Sequence, residues 1–266
     1  MAPTTKQIFF LSGLPRTGST LLTSILSENP KIHAEGNSAV CQLMWDIKVS
    51  CESDASQQLK ANNRDNTKKD IISKIPEIYY ANTNKPFIVD KCRSWTLPAN
   101  INLIKDFITD KPKIIVMIRP LREIVESFIY INSINKVNFN VEQLLAKDSE
   151  PLMRSLEGVK FAIEQKNDDF IFIKYKDLVE QPEKTIKNIY NFCGIEQYNH
   201  NYTNIVNKNP ENDNIYDLVG FHDVRSTINY REKNIKLPKN IEKQIEQLDY
   251  NLNILLHDNL NNSYIS

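Results

Sequence analysis

The sequence predicts an α/β fold, a three-layer sandwich built on a central, mostly parallel sheet. Three observations predict it. Short apolar runs alternate with segments of helical periodicity along the 266 residues, the pattern of strands joined by crossover helices. Residues 113–118 (K-I-I-V-M-I) are a near-continuous apolar run, as expected for a strand covered on both faces. A Gly-x-x-x-x-Gly spacing separates the first apolar run from the first helical segment, the place where such sheets hold anions.

Each element follows from local chemistry. Residues 7–12 (Q-I-F-F-L-S) read as a short buried strand, Gly13 to Thr17 as a turn, and Gly18 to about Asn29 as a helix ended by Asn29-Pro30. Residues 52–70 are polar without clear periodicity, an exposed helix or loop, and 70–80 look helical. Pro86 introduces a strand over Phe87–Asp90, followed by a helix near 97–109 and the strand ending at Ile118. Pro120 is placed as the first residue of the next helix, which carries Glu123 to Ile131. Further on come a helix over 151–166, a strand over Phe170–Lys174, a helix from Pro182 with Gly194 as its C-cap, and an amphipathic helix from about 238. A single domain is expected, with insertions at 37–80 and 132–170 shaping an acceptor site.

Composition removes several function classes. Lys plus Arg equals Asp plus Glu at 33 each, so no net field attracts nucleic acid or an anionic membrane. No apolar run approaches the length of a membrane span. The four cysteines have no zinc-type or C-x-x-C spacing, which suits free thiols in the cytoplasm. Anion binding must therefore come from local placement of charge.

The chemistry is expected at the carboxyl ends of the strands, near 13–20, 90–95, 119–127 and 174–177. Residues 13–20 read G-L-P-R-T-G-S-T and hold two of the six glycines. The spacing is that of a P-loop, and it makes the fold P-loop NTPase-like. Thr20 takes the position of the loop's hydroxyl residue, but Ser19 stands where a triphosphate-binding loop has lysine. Arg16 supplies the charge from inside the loop instead. A second anchor is expected where Arg119 ends the apolar strand and Ser127 follows on the next helix, a planar cation and a hydroxyl suited to phosphate.

The loop P-R-T-G-S-T, the segment I-R-P-L-R-E-I-V-E-S and the later I-K-Y-K-D-L-V-E-Q-P, in this order, resemble the sulfotransferases that use 3′-phosphoadenosine-5′-phosphosulfate (PAPS). The resemblance spans about residues 8–195, with a weaker match at 222–236, and the loop form is similar to that of tyrosylprotein sulfotransferases and bacterial relatives. It implies that Pro15, Arg16, Thr17, Gly18, Ser19 and Thr20 cradle the 5′-phosphosulfate. It implies also that Arg119 and Ser127 hold the 3′-phosphate, that Tyr175 lines the adenine and that Ser226 lies in the segment closing over the nucleotide, with Thr227 and Lys233 as looser candidates. Lys91, ending the F-I-V-D strand, resembles the family lysine and joins Arg16 as a cation for the transferring group. Where cytosolic members carry a histidine two residues later, this chain has Arg93. Glu35 occupies the region of the tyrosylprotein enzymes' catalytic glutamate, with His33 as the alternative base.

The resemblance implies no metal, and an acceptor that is a small molecule, a carbohydrate, a lipid or a protein tyrosine. A homodimer is left open. Two rival functions remain: a P-loop kinase or NTPase, with Asp90 as its metal-binding aspartate, and a non-catalytic nucleotide-binding module of the same fold.

Overall fold

In a computed structural model that describes residues 6–230 and 234–259, five parallel strands form one sheet. They are β1 (Gln7–Gly13), β2 (Ile32–Asn37), β3 (Phe87–Lys91), β4 (Ile114–Ile118) and β5 (Phe170–Lys174), in the spatial order β2-β3-β1-β4-β5. β1 pairs with β3 on one side and β4 on the other, so the connections diverge around it. The α/β expectation of a parallel sheet between helical layers holds, with every observed pairing parallel.

The helices are α1 (Ser19–Leu26), α2 (Val40–Glu52), α3 (Ser56–Ala61), α4 (Thr67–Tyr79), α5 (Pro98–Phe107), α6 (Leu121–Ile134), α7 (Val141–Leu144), α8 (Met153–Glu164), α9 (Tyr175–Glu180), α10 (Pro182–Cys193) and α11 (Lys239–Asn259). Strand side chains alternate between the two faces of the sheet, and the core divides accordingly. Phe10, Ile88, Val116 and Phe172 face one layer with Leu103, Val125 and Leu156, while Leu11, Val89, Met117 and Ile173 face the other with Leu22, Leu26 and Ile189. α11 packs on α6 and α8 and closes the first layer.

Several boundaries depart from expectation. β2, α2 and α9 are additional elements, and α1 stops at Leu26, three residues short of Asn29. Pro120 sits just before α6 rather than in its first turn. The Asp249 carboxylate of α11 takes the first α6 amides instead, accepting from the backbone N–H of Leu121 (2.7 Å) and Arg122 (3.3 Å). That helix start is therefore spent on a side chain, and positive charge beside it must come from side chains such as Arg119. Gly194 caps α10 in the left-handed conformation, as expected.

Candidate active site

The turn after β1 is shaped by two glycines with positive φ. Gly13 (φ 126°) lies so close to β4 that a Cβ there would meet the Met117 carbonyl oxygen at 2.2 Å, and at Gly18 (φ 78°) a Cβ would meet the Tyr175 ring at 2.8 Å. Neither position admits a side chain. α1 begins at Ser19 with no side-chain cap and no acidic residue in its first turn. Its first N–H groups are thus open to an anion at the positive end of the helix.

The turn opens on a cavity of about 820 Å³, within the range of small-molecule and cofactor sites. Pro15, Arg16, Gly18, Ser19, Thr20, Lys91, Arg119, Ser127 and Tyr175 all stand on its wall. The structure thus brings together residues that are more than 150 positions apart in sequence. Thr17 is the inward-facing member of the loop, fully buried, with its hydroxyl donating to the Leu14 carbonyl (2.8 Å). It shapes the turn, and only its backbone can face an anion.

At one end of the cavity, Lys91 lies buried with its Nζ 3.4 Å from the Thr20 hydroxyl and 3.3 Å from Glu211 Oε2. Burial lowers its pKa, and Glu211 opposes that shift. At the other end, the Arg119 guanidinium is fixed on three sides. It donates to Glu123 (2.9 Å) and to the Arg16 carbonyl (2.7 Å), and it stacks 4.1 Å from the Tyr175 ring centroid. Tyr230 donates to the other Glu123 oxygen (2.7 Å).

Arg16 differs from expectation in where its charge goes. Its residue sits at φ 59°, and its side chain donates to Ser127 Oγ (3.2 Å) and the Phe221 carbonyl (2.5 Å) while stacking on the Phe221 ring at 4.6 Å. Its hydrogen bonds therefore serve the Ser127 end of the cavity, beside Arg119. Burial first, and then the Arg119 charge, lower its pKa to about 10, so it stays cationic near neutral pH. Two arginines and the Ser127 hydroxyl thus stand together at this end, with Glu123 paired to Arg119.

Glu35 and His33 pair with each other on β2 at 3.2 Å, and neither stands on the cavity wall. Ser226 also stands off the wall, between Arg225 and Thr227, which line it; its carbonyl accepts from the Ile205 amide. Lys233 lies outside the described residues. Of the two expected acceptor-shaping insertions, 37–80 contributes Asn37 to the wall and 132–170 contributes Ile134 and Pro151. Trp45, Tyr79, Tyr80 and Phe139 pack elsewhere.

Asp90 is fully buried. It accepts from the Tyr80 hydroxyl (2.7 Å), the Ser38 hydroxyl (2.8 Å) and the Trp95 indole N–H (2.6 Å). Burial raises its pKa against these donors. Both oxygens are occupied by structural partners.

Sequence motifs passed over Glu211, Asp213 and His222, which lie on the segment between α10 and α11. His222 lines the cavity, and the other two contact it. The one available signal was the G-F-H-D-V-R-S run, whose histidine is one of only four in the chain.

A family model described as the sulfotransferase family matches residues 8–200. No curated protein matches the chain. Among solved structures, the fold is similar to the sulfotransferase domain of the Synechococcus PCC 7002 olefin synthase, at 16% identity and TM-score 0.57, covering 95% of this chain and 97% of that one. It is similar also to the sulfotransferase domain from the curacin biosynthetic pathway, at 16% identity and TM-score 0.56, covering 94% and 98%. A sulfotransferase from Alicyclobacillus acidocaldarius matches at 12% identity and TM-score 0.56, covering 97% and 95%.

Proposed function

The chain belongs to the sulfotransferase family, and from that premise we propose that it transfers a sulfuryl group from PAPS to a hydroxyl or amine acceptor. The observation that carries this reading is a single cavity with Lys91 and the α1 start at one end and Arg119 and Arg16 at the other. The α1 start with Ser19, Thr20 and Lys91 suits the 5′-phosphosulfate, and Arg119 with Ser127 and Arg16 suits a 3′-phosphate. Tyr175, between Gly18 and Arg119, lines the cavity on the side proposed for adenine. The kinase reading is the weaker one. Ser19 replaces the lysine that would reach a triphosphate, and Asp90 has no oxygen left for a metal ion.

Transfer needs positive charge on the departing phosphate oxygen and a proton acceptor for the attacking group. Lys91 is placed for the first role, beside Thr20. Glu35 and His33 pair off the wall, so a proton acceptor must come from groups that reach the cavity. Part of the rim is apolar: Tyr130, Ile134, Tyr216 and Val219 line it and are exposed. That rim favours a lipid or aromatic alcohol over a carbohydrate. Four free cysteines suit a cytoplasmic setting.

Arg119→Ala is expected to weaken binding of adenosine 3′,5′-bisphosphate by about 10- to 100-fold, the worth of a charge-assisted hydrogen bond. Calorimetry checks this, and unchanged affinity removes the 3′-phosphate from that end. Mass spectrometry of products formed from PAPS and a cell extract identifies the acceptor.

A further inference from the structure

Glu211 sits in a place made for it. A Cβ on Gly36 would fall 2.1 Å from Glu211 Cγ and 2.2 Å from its Cδ, so the strand is bare where the glutamate stem crosses it. Oε1 accepts from the backbone amide (3.1 Å) and side-chain amide (3.3 Å) of Asn37. Oε2 faces Lys91 Nζ at 3.3 Å and His222 Nε2 at 3.5 Å.

His222 is held just as firmly from its other side. Asp213 takes its ring Nδ1 at 2.5 Å with one oxygen and its backbone N–H at 2.9 Å with the other. A carboxylate on Nδ1 selects the Nδ1–H tautomer and leaves Nε2 as the basic atom. That atom faces Glu211 Oε2, which also contacts Lys91, whose ammonium touches Thr20, and the ring lines the cavity.

We propose that His222 accepts the proton of the attacking hydroxyl, with Asp213 and Glu211 as its positioning residues. The proposal rests on the sulfuryl-transfer reading. As the acceptor oxygen attacks sulfur, its O–H bond breaks, the proton passes to Nε2 and an S–O bond forms. The bond from sulfur to the bridging oxygen of the 5′-phosphosulfate breaks, and its electron pair leaves with adenosine 3′,5′-bisphosphate. Lys91 faces that departing charge, and Glu211 and Asp213 face the imidazolium.

The charged groups around the ring are Asp213, Glu211 and Lys91, with the Tyr216 and Phe221 rings against it. Burial lowers the His222 pKa; Asp213 and Glu211 raise it and Lys91 lowers it, with the net shift downward. The ring is thus neutral, and able to take a proton, near neutral pH. Glu211 is the poorer base. Burial alone would raise its pKa, but Lys91, the Asn37 amide and His222 bring it below the ordinary carboxylate value.

The test uses the full chain, [35S]PAPS, and two probe acceptors, 1-octanol and 4-nitrophenol, with release of sulfate to water as a third readout. His222→Gln is expected to lower octanol turnover by about 100- to 1000-fold. With 4-nitrophenol, already ionised at about pH 8 and needing no base, the loss should be about 10-fold or less. Affinity for adenosine 3′,5′-bisphosphate should stay within about threefold. Asp213→Asn should shift the acidic limb of the kcat/KM profile to lower pH, because an anion that raises the His222 pKa is gone.

Equal losses with both acceptors, or retained octanol turnover, overturn the assignment. Should His222→Gln fail to bind nucleotide, the Asp213→Asn profile decides alone, and an unmoved limb overturns it. A wild-type chain that binds PAPS but sulfates neither probe nor water overturns the transferase reading itself. That result is distinct, because it is read before any variant is made.

Discussion

Lys91→Met should cut turnover by about 100- to 1000-fold while leaving affinity for adenosine 3′,5′-bisphosphate within about threefold. The substitution keeps the stem and removes the charge. The product nucleotide retains its other holds, the α1 start and the Arg119 end, so binding in the ground state changes little. The charge that develops on the departing oxygen loses its nearest cation, and the low-dielectric setting of a buried lysine makes that loss large. Removing the lysine also leaves Glu211 facing His222 alone. The His222 pKa should then rise, because a repelling cation has gone. The residual activity of Lys91→Met should accordingly show its acidic limb at higher pH than the wild type. Single-turnover kinetics with calorimetry checks both parts. Weakened nucleotide binding with unchanged turnover would make Lys91 a binding residue only.

Asp90→Ala, one position earlier on β3, should act on stability instead. Successive strand residues point to opposite faces, and Asp90 faces the layer that holds Tyr80 and Trp95. Truncation leaves the Tyr80 hydroxyl and the Trp95 indole N–H buried without an acceptor. Each such group costs about 1–3 kcal/mol, and with the lost packing the total is about 3–5 kcal/mol. The thermal midpoint should fall by roughly 10 °C, as read by calorimetry. Asp90→Asn keeps an oxygen for one donor and should fall by less. A midpoint within about 2 °C of wild type would mean that water reaches these donors and that the site is less closed than its burial implies.

The sheet was legible wherever burial on both faces made a strand apolar throughout. β4 (I-I-V-M-I) and β5 (F-I-F-I-K) are such runs, and β1 nearly so. β2 is an edge strand whose residues, I-H-A-E-G-N, alternate buried with half-exposed. Two ionisable side chains and a glycine in six residues hide its strand character, so no element was expected there and nothing in the sequence showed where Glu35 and His33 point. In the fold they share the exposed side of that edge and pair with one another.

The two ends of the cavity were legible because Gly13 and Arg119 sit at strand termini and Gly18 opens the next helix, where sequence position implies spatial position. Arg16 was legible as a cation but not in its direction. Its left-handed backbone, and Phe221 more than 200 residues away, send the guanidinium toward Ser127. Glu211 and Asp213 were illegible for a similar reason, and His222 stood out only as the first residue of the weak match at 222–236. Their relation to Lys91 and Gly36 is wholly tertiary, and the Asn- and Asp-rich run around 207–214 looks like ordinary surface loop.

The bare Cβ position at Gly13 has a consequence for ligand choice. With no side chain between Gly13 and the Met117 backbone, the strands carrying the loop and Arg119 approach at the ordinary sheet spacing, about 4.8 Å. Arg119 is further tied to the loop through the Arg16 carbonyl. On the sulfuryl-transfer reading, the two ends would act as the jaws of a caliper whose coarse opening follows the strand spacing, with the Arg119, Arg16 and Lys91 side chains making the fine adjustment. Such a device would sort nucleotides by the separation of their anionic groups and not by how much charge they carry. A triphosphate would crowd its charge into one jaw and leave the other empty; a nucleoside phosphorylated at both ends would fill the gauge.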